Sequence, residues 1–194
     1  MSIRYYKLMP ETPIYAVIER IANLIRAEER QLGADHGLQP VHLSALYYLS
    51  RCNRYSDTPA AVTEYLGMTK GTVSQTLQVL EKKNLLTKTA DSEDKRLVHL
   101  SLTNDGKRLI RKAIPPISIK KSIDELNQKD AQLIQKHLIQ LLTQLQLNTD
   151  SRSFGECQTC VHCQKEAGQH RCGLTQQELK LTEIKQICRE HTAT

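Results

Sequence analysis

The stretch that decides the fold, residues 62–106, reads VTEYLGMTKGTVSQTLQVLEKKNLLTKTADSEDKRLVHLSLTNDG. Apolar residues recur at helical spacing on both sides of Gly67, which predicts a short helix over about 59–66 and a second helix over about 70–83. Gly67 lies at the turn between them, where a positive φ is expected. Two helices joined by a tight, glycine-containing turn are typical of a helix-turn-helix.

Two short runs of alternating hydrophobicity follow, at residues 85–90 and 97–102. The polar segment 91–96 between them predicts a β-hairpin. Thr103 is then placed to cap a further helix, which ends at the Pro115-Pro116 pair. The order of helix, turn, helix and hairpin predicts a winged helix-turn-helix, an architecture that binds DNA.

The second helix of this motif would present its first turn to the major groove. The candidate DNA-binding residues there are polar, basic or small, which suits contacts with phosphates and base edges; they are Thr69, Lys70, Gly71, Thr72, Ser74, Gln75 and Thr76. At the hairpin tip, Asp94, Lys95 and Arg96 are further candidates, with Arg96 entering the minor groove and an Asp orienting its guanidinium. The alternative is that these side chains form only a solvated face.

Helices are also predicted on both sides of the motif. Thr12-Pro13 is a helix entry, and apolar residues continue at helical spacing to about residue 32. Another helix is expected to start near Pro40, and the longest apolar stripe begins at Leu126 and reaches Leu145. The predicted fold class is therefore mainly α, with a small β-hairpin wing.

Residues 62–106 resemble the MarR family of bacterial transcription regulators. The resemblance is carried by the order and spacing of several short motifs: Gly71-Thr72-Val73-Ser74, Leu80-Glu81-Lys82-Lys83-Asn84-Leu85-Leu86, Asp94-Lys95-Arg96 and Leu102-Thr103-Asn104-Asp105-Gly106. Flanking helices in the matching order extend it to about residues 12–147.

The resemblance implies a homodimer formed by the N-terminal helix and the last long helices. It implies binding to a pseudo-palindromic operator in double-stranded DNA, usually as a repressor. It also implies a pocket for a small-molecule effector, for which His42, Tyr47 and Tyr48 are candidates; ordinary partly buried side chains are the alternative. Cys52 is either a redox sensor, as in some relatives, or a buried structural thiol.

Composition narrows the function classes. The chain has 194 residues, of which 39% are hydrophobic and 25% charged, so it can form a packed core. The formal net charge of +6 favours an anionic partner. We expect no contact with a membrane and a cytoplasmic location, because the sequence shows no long apolar run and no secretory signal.

Five of the six cysteines lie in the last 38 residues, which predicts two domains: a DNA-binding and dimerisation domain over 1–148 and a metal-binding tail over 149–194. The expected ligands of a structural Zn²⁺ are Cys157, Cys160, Cys172 and Cys188, with Cys163 as the alternative ligand. Read literally, the C-x2-C-x2-C run instead favours an iron–sulfur cluster. His162, His170 and His191 are further candidates, and Cys188 is expected on a helix.

The favoured function is a dimeric, sequence-specific transcription regulator whose tail is either structural or sensory. One alternative is a thiol-based redox or metal-handling enzyme, which would need a C-x-x-C within a βαβ unit that the sequence does not predict. The other is a protein-interaction module that uses the helix pair. We expect no enzyme activity, because the sequence contains no recognisable catalytic arrangement.

Overall fold

The structure is a computed structural model, and it describes residues 13–149, 151–166 and 168–193. The elements follow one another as α1 (Pro13–Ala34), α2 (Pro40–Arg51), α3 (Pro59–Leu66), α4 (Lys70–Lys82), β1 (Leu86–Ala90), β2 (Val98–Leu102), α5 (Asn104–Ala113), α6 (Ile117–Asp124), α7 (Gln128–Asn148), β3 (Cys163–Glu166), β4 (Gln169–Cys172) and β5 (Glu178–Leu179). The prediction of a mostly helical protein with a small hairpin is confirmed. The predicted helix entry at Thr12 lies outside the described residues.

Local capping sets the bounds of α3 and α4. The Thr58 hydroxyl oxygen accepts a hydrogen bond from the backbone N–H of Ala61 at 3.2 Å, which caps α3. Gly67 ends α3 with a φ of 61°, a conformation that a side chain would strain. Thr69 caps α4 in the same way, because its hydroxyl oxygen accepts from the N–H of Thr72 at 3.2 Å. Both the turn and the cap are confirmed.

The wing is an antiparallel pair of strands in which Leu86 lies opposite Leu102. Each strand begins one residue later than predicted. The turn between the strands is organised by Asp91, whose carboxylate accepts from the backbone N–H groups of Glu93 and Asp94, both at 2.8 Å. We refer to α3, α4 and this wing together as the reading head.

The main hydrophobic core joins the reading head to α2. Its largest fully buried apolar side chains come from α2, α3, α4 and β1; they are Tyr48, Leu43, Leu46, Leu77, Leu80, Leu86, Val62 and Val73. The Tyr48 hydroxyl donates to the carbonyl of Ser56 at 2.7 Å, so this buried polar group is satisfied. The helix pair and the wing therefore share one core.

The long helices α1, α6 and α7 leave many apolar side chains on the surface of the single chain: Ile14, Tyr15, Ile18, Ile21, Leu24, Ile117, Ile123, Leu133, Ile134, Leu138, Ile139, Leu142, Leu145 and Leu147. Ser118 donates to the carboxylate of Glu28 through its N–H and its hydroxyl, which ties α6 to α1. The sequence analysis did not predict α6, which begins directly after Pro116.

The residues after α7, which we call the tail, form a small unit with a three-stranded antiparallel sheet in the order β3-β4-β5. Its own core is small, with Cys157, Leu179 and Ile184 buried. The prediction that Cys188 lies on a helix is wrong. The nearby apolar positions serve two different cores instead, because Ile184 packs inside the tail while Ile187 joins the main core.

Aromatic rings also join the tail to the main core. Phe154 lies with its ring centroid 6.0 Å from that of Tyr48 and 5.3 Å from that of Tyr65, and the two tyrosine rings are 4.4 Å apart. Tyr65 belongs to α3, so the chain that leaves α7 returns at once to the reading head. These contacts cross the predicted boundary at residue 149, and the division into two domains stays a prediction.

Candidate nucleic-acid interface and thiol cluster

The first turn of α4 is open to solvent. Most of the candidate DNA-binding residues on it are exposed: Thr69, Lys70, Gly71, Thr72, Ser74 and Gln75. The hydroxyls of Thr69 and Thr72 lie 2.9 Å apart in a hydrogen bond. Free backbone N–H groups and the positive end of the helix dipole make such a turn attractive to phosphate oxygens.

Thr76 differs from the other candidates on α4. It is only 3% exposed, and its hydroxyl donates to the carbonyl of Thr72 at 2.9 Å. The expectation that Thr76 faces outward is therefore wrong, because it lies on the same side of α4 as the buried Val73, Leu77 and Leu80.

At the tip of the wing, Asp94, Lys95 and Arg96 are all exposed. The Asp94 carboxylate accepts from the backbone N–H of Arg96 at 3.0 Å, and in the part of the chain that the structure describes the guanidinium has no carboxylate partner. The expected bidentate pair between an Asp and Arg96 is therefore wrong. The side chain is free to extend toward a ligand beside α4.

A histidine at the base of the wing was not singled out by the sequence analysis. The His99 ring lies 2.6 Å from Asp57 through Nδ1 and 3.1 Å from Asp91 through Nε2. These two hydrogen bonds raise the pKa of His99 above its ordinary value. Backbone N–H groups and His99 lower the pKa of Asp91, whereas burial raises the pKa of Asp57. His99 thus connects the wing to the loop before α3.

In the tail, the Cys157 and Cys188 thiols interact closely enough that each shifts the pKa of the other. The Cys157 thiol, the Asn53 amide, the Glu190 backbone N–H and the Ser56 hydroxyl lower the pKa of Cys188 below its ordinary value, although burial acts in the opposite direction. The interaction with Cys188, together with burial, raises the pKa of Cys157. The Asn53 amide also donates to the Cys157 sulfur at 3.5 Å.

The other three tail thiols lie close to this pair. Cys163 and Cys172 are opposite each other in the β3–β4 register, and burial followed by the neighbouring thiols of Cys160 and Cys172 raises the pKa of Cys163. The Cys160 sulfur accepts from the backbone N–H of Thr192 at 3.4 Å. Among the described residues, no three His, Cys, Asp or Glu side chains are arranged so that they could hold a metal ion.

The three candidate histidines of the tail differ in their partners. Both ring nitrogens of His191 are satisfied, Nδ1 by the Ser153 hydroxyl at 2.6 Å and Nε2 by Thr159 at 3.0 Å, and burial lowers its pKa. His170 has a buried Nδ1 without a partner among the described residues, and alternation along β4 places it on the same face as Cys172. His162 is half-buried.

The candidate effector residues occupy three different environments. His42 is buried and its Nδ1 accepts from the backbone N–H of Gln39 at 2.8 Å, so it helps to cap α2. Tyr48 is fully buried. Tyr47 lines an open cavity of about 560 Å³ between α2, β2 and α5, together with Leu49, Ser50, Cys52, Asn53, Arg54, Asp57, Leu100, Ser101, Leu102, Lys107, Ile110, Arg111, Ile114 and Gln186.

Cys52 is buried, and this burial raises the pKa of its thiol to about 12. A thiol with such a high pKa holds little thiolate at neutral pH and reacts slowly with oxidants. Of the two readings of Cys52, the structure favours a structural thiol over a redox sensor.

Residues 36–97 match the family model of the MarR family, a segment that holds α2, α3, α4 and β1. The fold is that of the MarR family. Over 54 residues the chain is 37% identical to the uncharacterized HTH-type transcriptional regulator YwaE of Bacillus subtilis. That alignment spans 28% of this chain and about a third (32%) of the length of YwaE.

Solved structures of MarR-type proteins agree with this fold. A DNA complex of MepR from S. aureus superimposes with a TM-score of 0.58 at 20% identity, over 69% of this chain and 99% of MepR. A DNA complex of FabT from Streptococcus pneumoniae gives 0.55 at 24% identity, over 68% of this chain and 94% of FabT. MarR family members are transcriptional regulators, which agrees with the expectation that the chain is not an enzyme. No helix in the described ranges is both long and apolar enough to cross a membrane.

Proposed function

We propose that this chain is a sequence-specific regulator of transcription that binds double-stranded DNA. The observation that carries the proposal is the capped, exposed first turn of α4 beside a wing whose Arg96 guanidinium is free. This arrangement suits a helix in the major groove and an arginine in the adjacent minor groove. MepR and FabT, which share the fold, are each described in complex with DNA. A regulator of this kind acts in the cytoplasm, where the DNA of a bacterium lies.

The exposed side chains of α4 divide into two roles. Gln75 would read a base edge, most simply an adenine, whereas Lys70 and the Thr72 hydroxyl would hold phosphates. Gly71 would allow the backbone to approach the DNA closely. Thr76 is buried and would therefore not contact the DNA.

The regulator would act as a homodimer. The apolar side chains that α1, α6 and α7 expose in the single chain would be covered by the same helices of a second copy. Two α4 helices would then lie about 34 Å apart on a pseudo-palindromic operator. Occupying an operator that overlaps a promoter would make the protein a repressor.

The tail thiols would hold a Zn²⁺ ion, with Cys157, Cys160, Cys172 and Cys188 as ligands and Cys163 as the alternative. Support comes from the gathering of five thiols in one small unit and from the buried, unpartnered Nδ1 of His170 nearby. Because binding would draw these side chains together, the free chain need not hold a finished site. A bound Zn²⁺ would stabilise a unit whose own core is small. An iron–sulfur cluster is the alternative occupant.

The cavity beside Tyr47 is the place where a small-molecule or redox effector would act. Arg54, Lys107 and Arg111 line it, which suits an anionic compound. Of the three candidate effector residues, only Tyr47 faces this cavity.

The DNA proposal is tested by binding of the full chain to duplexes enriched from a random pool, followed by fluorescence anisotropy. Gln75→Ala should relax sequence preference at one base pair, where a good contact contributes about 1–3 kcal/mol. Lys70→Ala should weaken binding to all sequences and reduce the salt slope by about 1. Arg96→Ala should weaken binding, while Arg171→Ala in the tail serves as the matched control. Equal losses for all four variants on unrelated sequences would contradict the assignment.

The metal proposal is tested by metal content and visible absorbance after purification without oxygen. About one zinc per chain in a colourless protein would support the Zn²⁺ site. Brown protein that contains iron and sulfide would instead indicate that the tail thiols bind an iron–sulfur cluster. Cys160→Ser should lose the metal and leave a folded main domain with a protease-sensitive tail, whereas Cys52→Ala, which removes a thiol outside the tail, should keep it.

A further inference from the structure

The loop between α2 and α3, residues 52–58, is fastened to the tail along most of its length. Four consecutive residues of the loop bind the tail: Asn53 contacts Ile187, Arg54 contacts Glu178 and Glu183, Tyr55 contacts Gln177, and Ser56 contacts Arg189. The Tyr55 hydroxyl donates to the side-chain oxygen of Gln177 at 2.5 Å. The Arg54 guanidinium lies 3.3 Å from the Glu183 carboxylate. The loop therefore cannot shift far without breaking several contacts with the tail at once.

The next residue of the loop, Asp57, is bound to the wing instead. Its backbone carbonyl accepts from the Leu100 N–H at 2.7 Å, which holds the base of the wing. Its carboxylate lies 2.6 Å from Nδ1 of His99, and Nε2 of the same ring lies 3.1 Å from the Asp91 carboxylate. Asp91 in turn accepts from two backbone N–H groups of the tip turn. This side-chain bridge thus ties the tip turn, which carries Arg96, to the loop.

An open cavity of about 480 Å³ separates the wing from the tail beside this bridge. The wing contributes Asp91, Leu97 and His99 to its lining, and Tyr55 and Gln177 lie on the other side. Loss of the bridge would leave the base of the wing attached through Leu100 but would give the tip room to shift. Such a shift would move Arg96 relative to α4, although both must meet the same DNA.

We propose that the tail is a positioning element for DNA reading, which holds the wing where Arg96 can enter the minor groove. It acts through the loop between α2 and α3, and Asp57 and His99 are the positioning residues that connect the loop to the wing. This inference rests on the proposed function and adds to it a role of the tail that needs no bound ion. The exposed pairs between loop and tail contribute little to stability, so their importance is the position that they fix.

The first test breaks the bridge and follows operator binding of the full chain by anisotropy over a range of salt concentrations. Asp57→Ala should raise the operator Kd at least about fivefold, the lower end of ordinary coupling between distant sites. It should also reduce the salt slope by about 1, as Arg96→Ala does. Because the substitution removes a negative charge, an effect of charge alone would lower the Kd instead. Asp57→Asn, which can still hydrogen-bond to His99, should bind as the wild type does.

A double-mutant cycle separates positioning from a folding defect. In the Arg96→Ala background, Asp57→Ala should change the operator Kd by less than about twofold, because the side chain that the wing places is then absent. A substitution that only lowers the folded fraction would cost the same factor in both backgrounds and would leave the salt slope unchanged. Circular dichroism checks that each variant is folded at the temperature of the binding measurement.

The second test changes only the tail and leaves the loop and the wing as they are. Gln177→Ala combined with Glu183→Gln removes the tail partners of Tyr55 and Arg54. This double variant should raise the operator Kd at least about threefold, within the range of coupling inside one contact network, and only while Arg96 is present. Gln158→Ala is the matched control, because this exposed glutamine of the tail donates to Glu156 and not to the loop. It should bind as the wild type does.

The outcomes separate the inference from the function on which it rests. If Asp57→Ala binds the operator normally, or loses the same factor with and without Arg96, the bridge does not position the wing, while DNA binding stands. If the tail double variant binds as Gln158→Ala does, the tail has no part in positioning and the inference is wrong. If Arg96→Ala itself changes neither the Kd nor the salt slope, or if the wild type selects no DNA sequence, the proposed function fails and the inference fails with it.

Discussion

Two glycines close together in the helix-turn-helix should respond to alanine in opposite ways. Gly67 has a φ of 61°, and no atom of the described residues lies within 4 Å of the Cβ that alanine would add. The cost of Gly67→Ala is therefore conformational strain alone, about 1–2 kcal/mol for a non-glycine residue in the left-handed region. Gly71 lies within α4, where the added Cβ would meet only the Thr69 hydroxyl at 3.9 Å. Gly71→Ala should stabilise the helix by about 0.5–1 kcal/mol.

Urea unfolding followed by circular dichroism measures the free energy of unfolding of both variants, and anisotropy measures operator binding. Gly67→Ala should be less stable than the wild type and bind DNA normally once folded. Gly71→Ala should be at least as stable and yet bind the operator at least about tenfold more weakly, because its methyl group occupies space needed for close approach of the backbone. Wild-type operator affinity in Gly71→Ala, or unchanged stability in Gly67→Ala, would refute this reasoning.

Three further predictions concern the wing, the long helices and the tail. Because the pKa of His99 is raised in the folded state, its contribution to stability is complete below about pH 6.5 and is lost as pH rises through the folded pKa. The urea concentration at the unfolding midpoint should therefore fall less between pH 6 and 8 in His99→Gln than in the wild type. His137→Gln on α7 serves as the control. If the proposed homodimer forms through α7, Leu138→Asp should convert it to a monomer in sedimentation experiments without lowering helix content, and a persistent dimer would exclude α7 from the interface. Gly155→Ala should release the tail to proteolysis, since the added Cβ would lie 2.5 Å from the His191 ring.

The helix-turn-helix and wing were predictable because their determinants lie within a few residues of one another. Thr58 and Thr69 cap the helices that directly follow them, and Gly67 adopts the positive φ that the turn after α3 requires. In β2, the period of two places Leu100 and Leu102 on the buried side. For these elements, short-range rules and the final packing agree.

The incorrect predictions concern residues whose positions depend on contacts with residues far away in sequence. Thr76 was expected to face DNA, but its side chain is buried in the core beneath α4. Cys188 was placed on a helix because the segment before it contains several apolar positions, although two of them, Ile184 and Ile187, pack in different cores. No local pattern links His99 to Asp57, which lies 42 residues earlier in the chain.

The packing of Phe154 against Tyr48 and Tyr65 has a consequence for how such a protein can be shortened. A chain cut after Asn148 would keep α1 to α7, but it would uncover Tyr65 and leave the place of Ile187 in the core empty. The 46 residues after Asn148 thus include side chains that complete the main core.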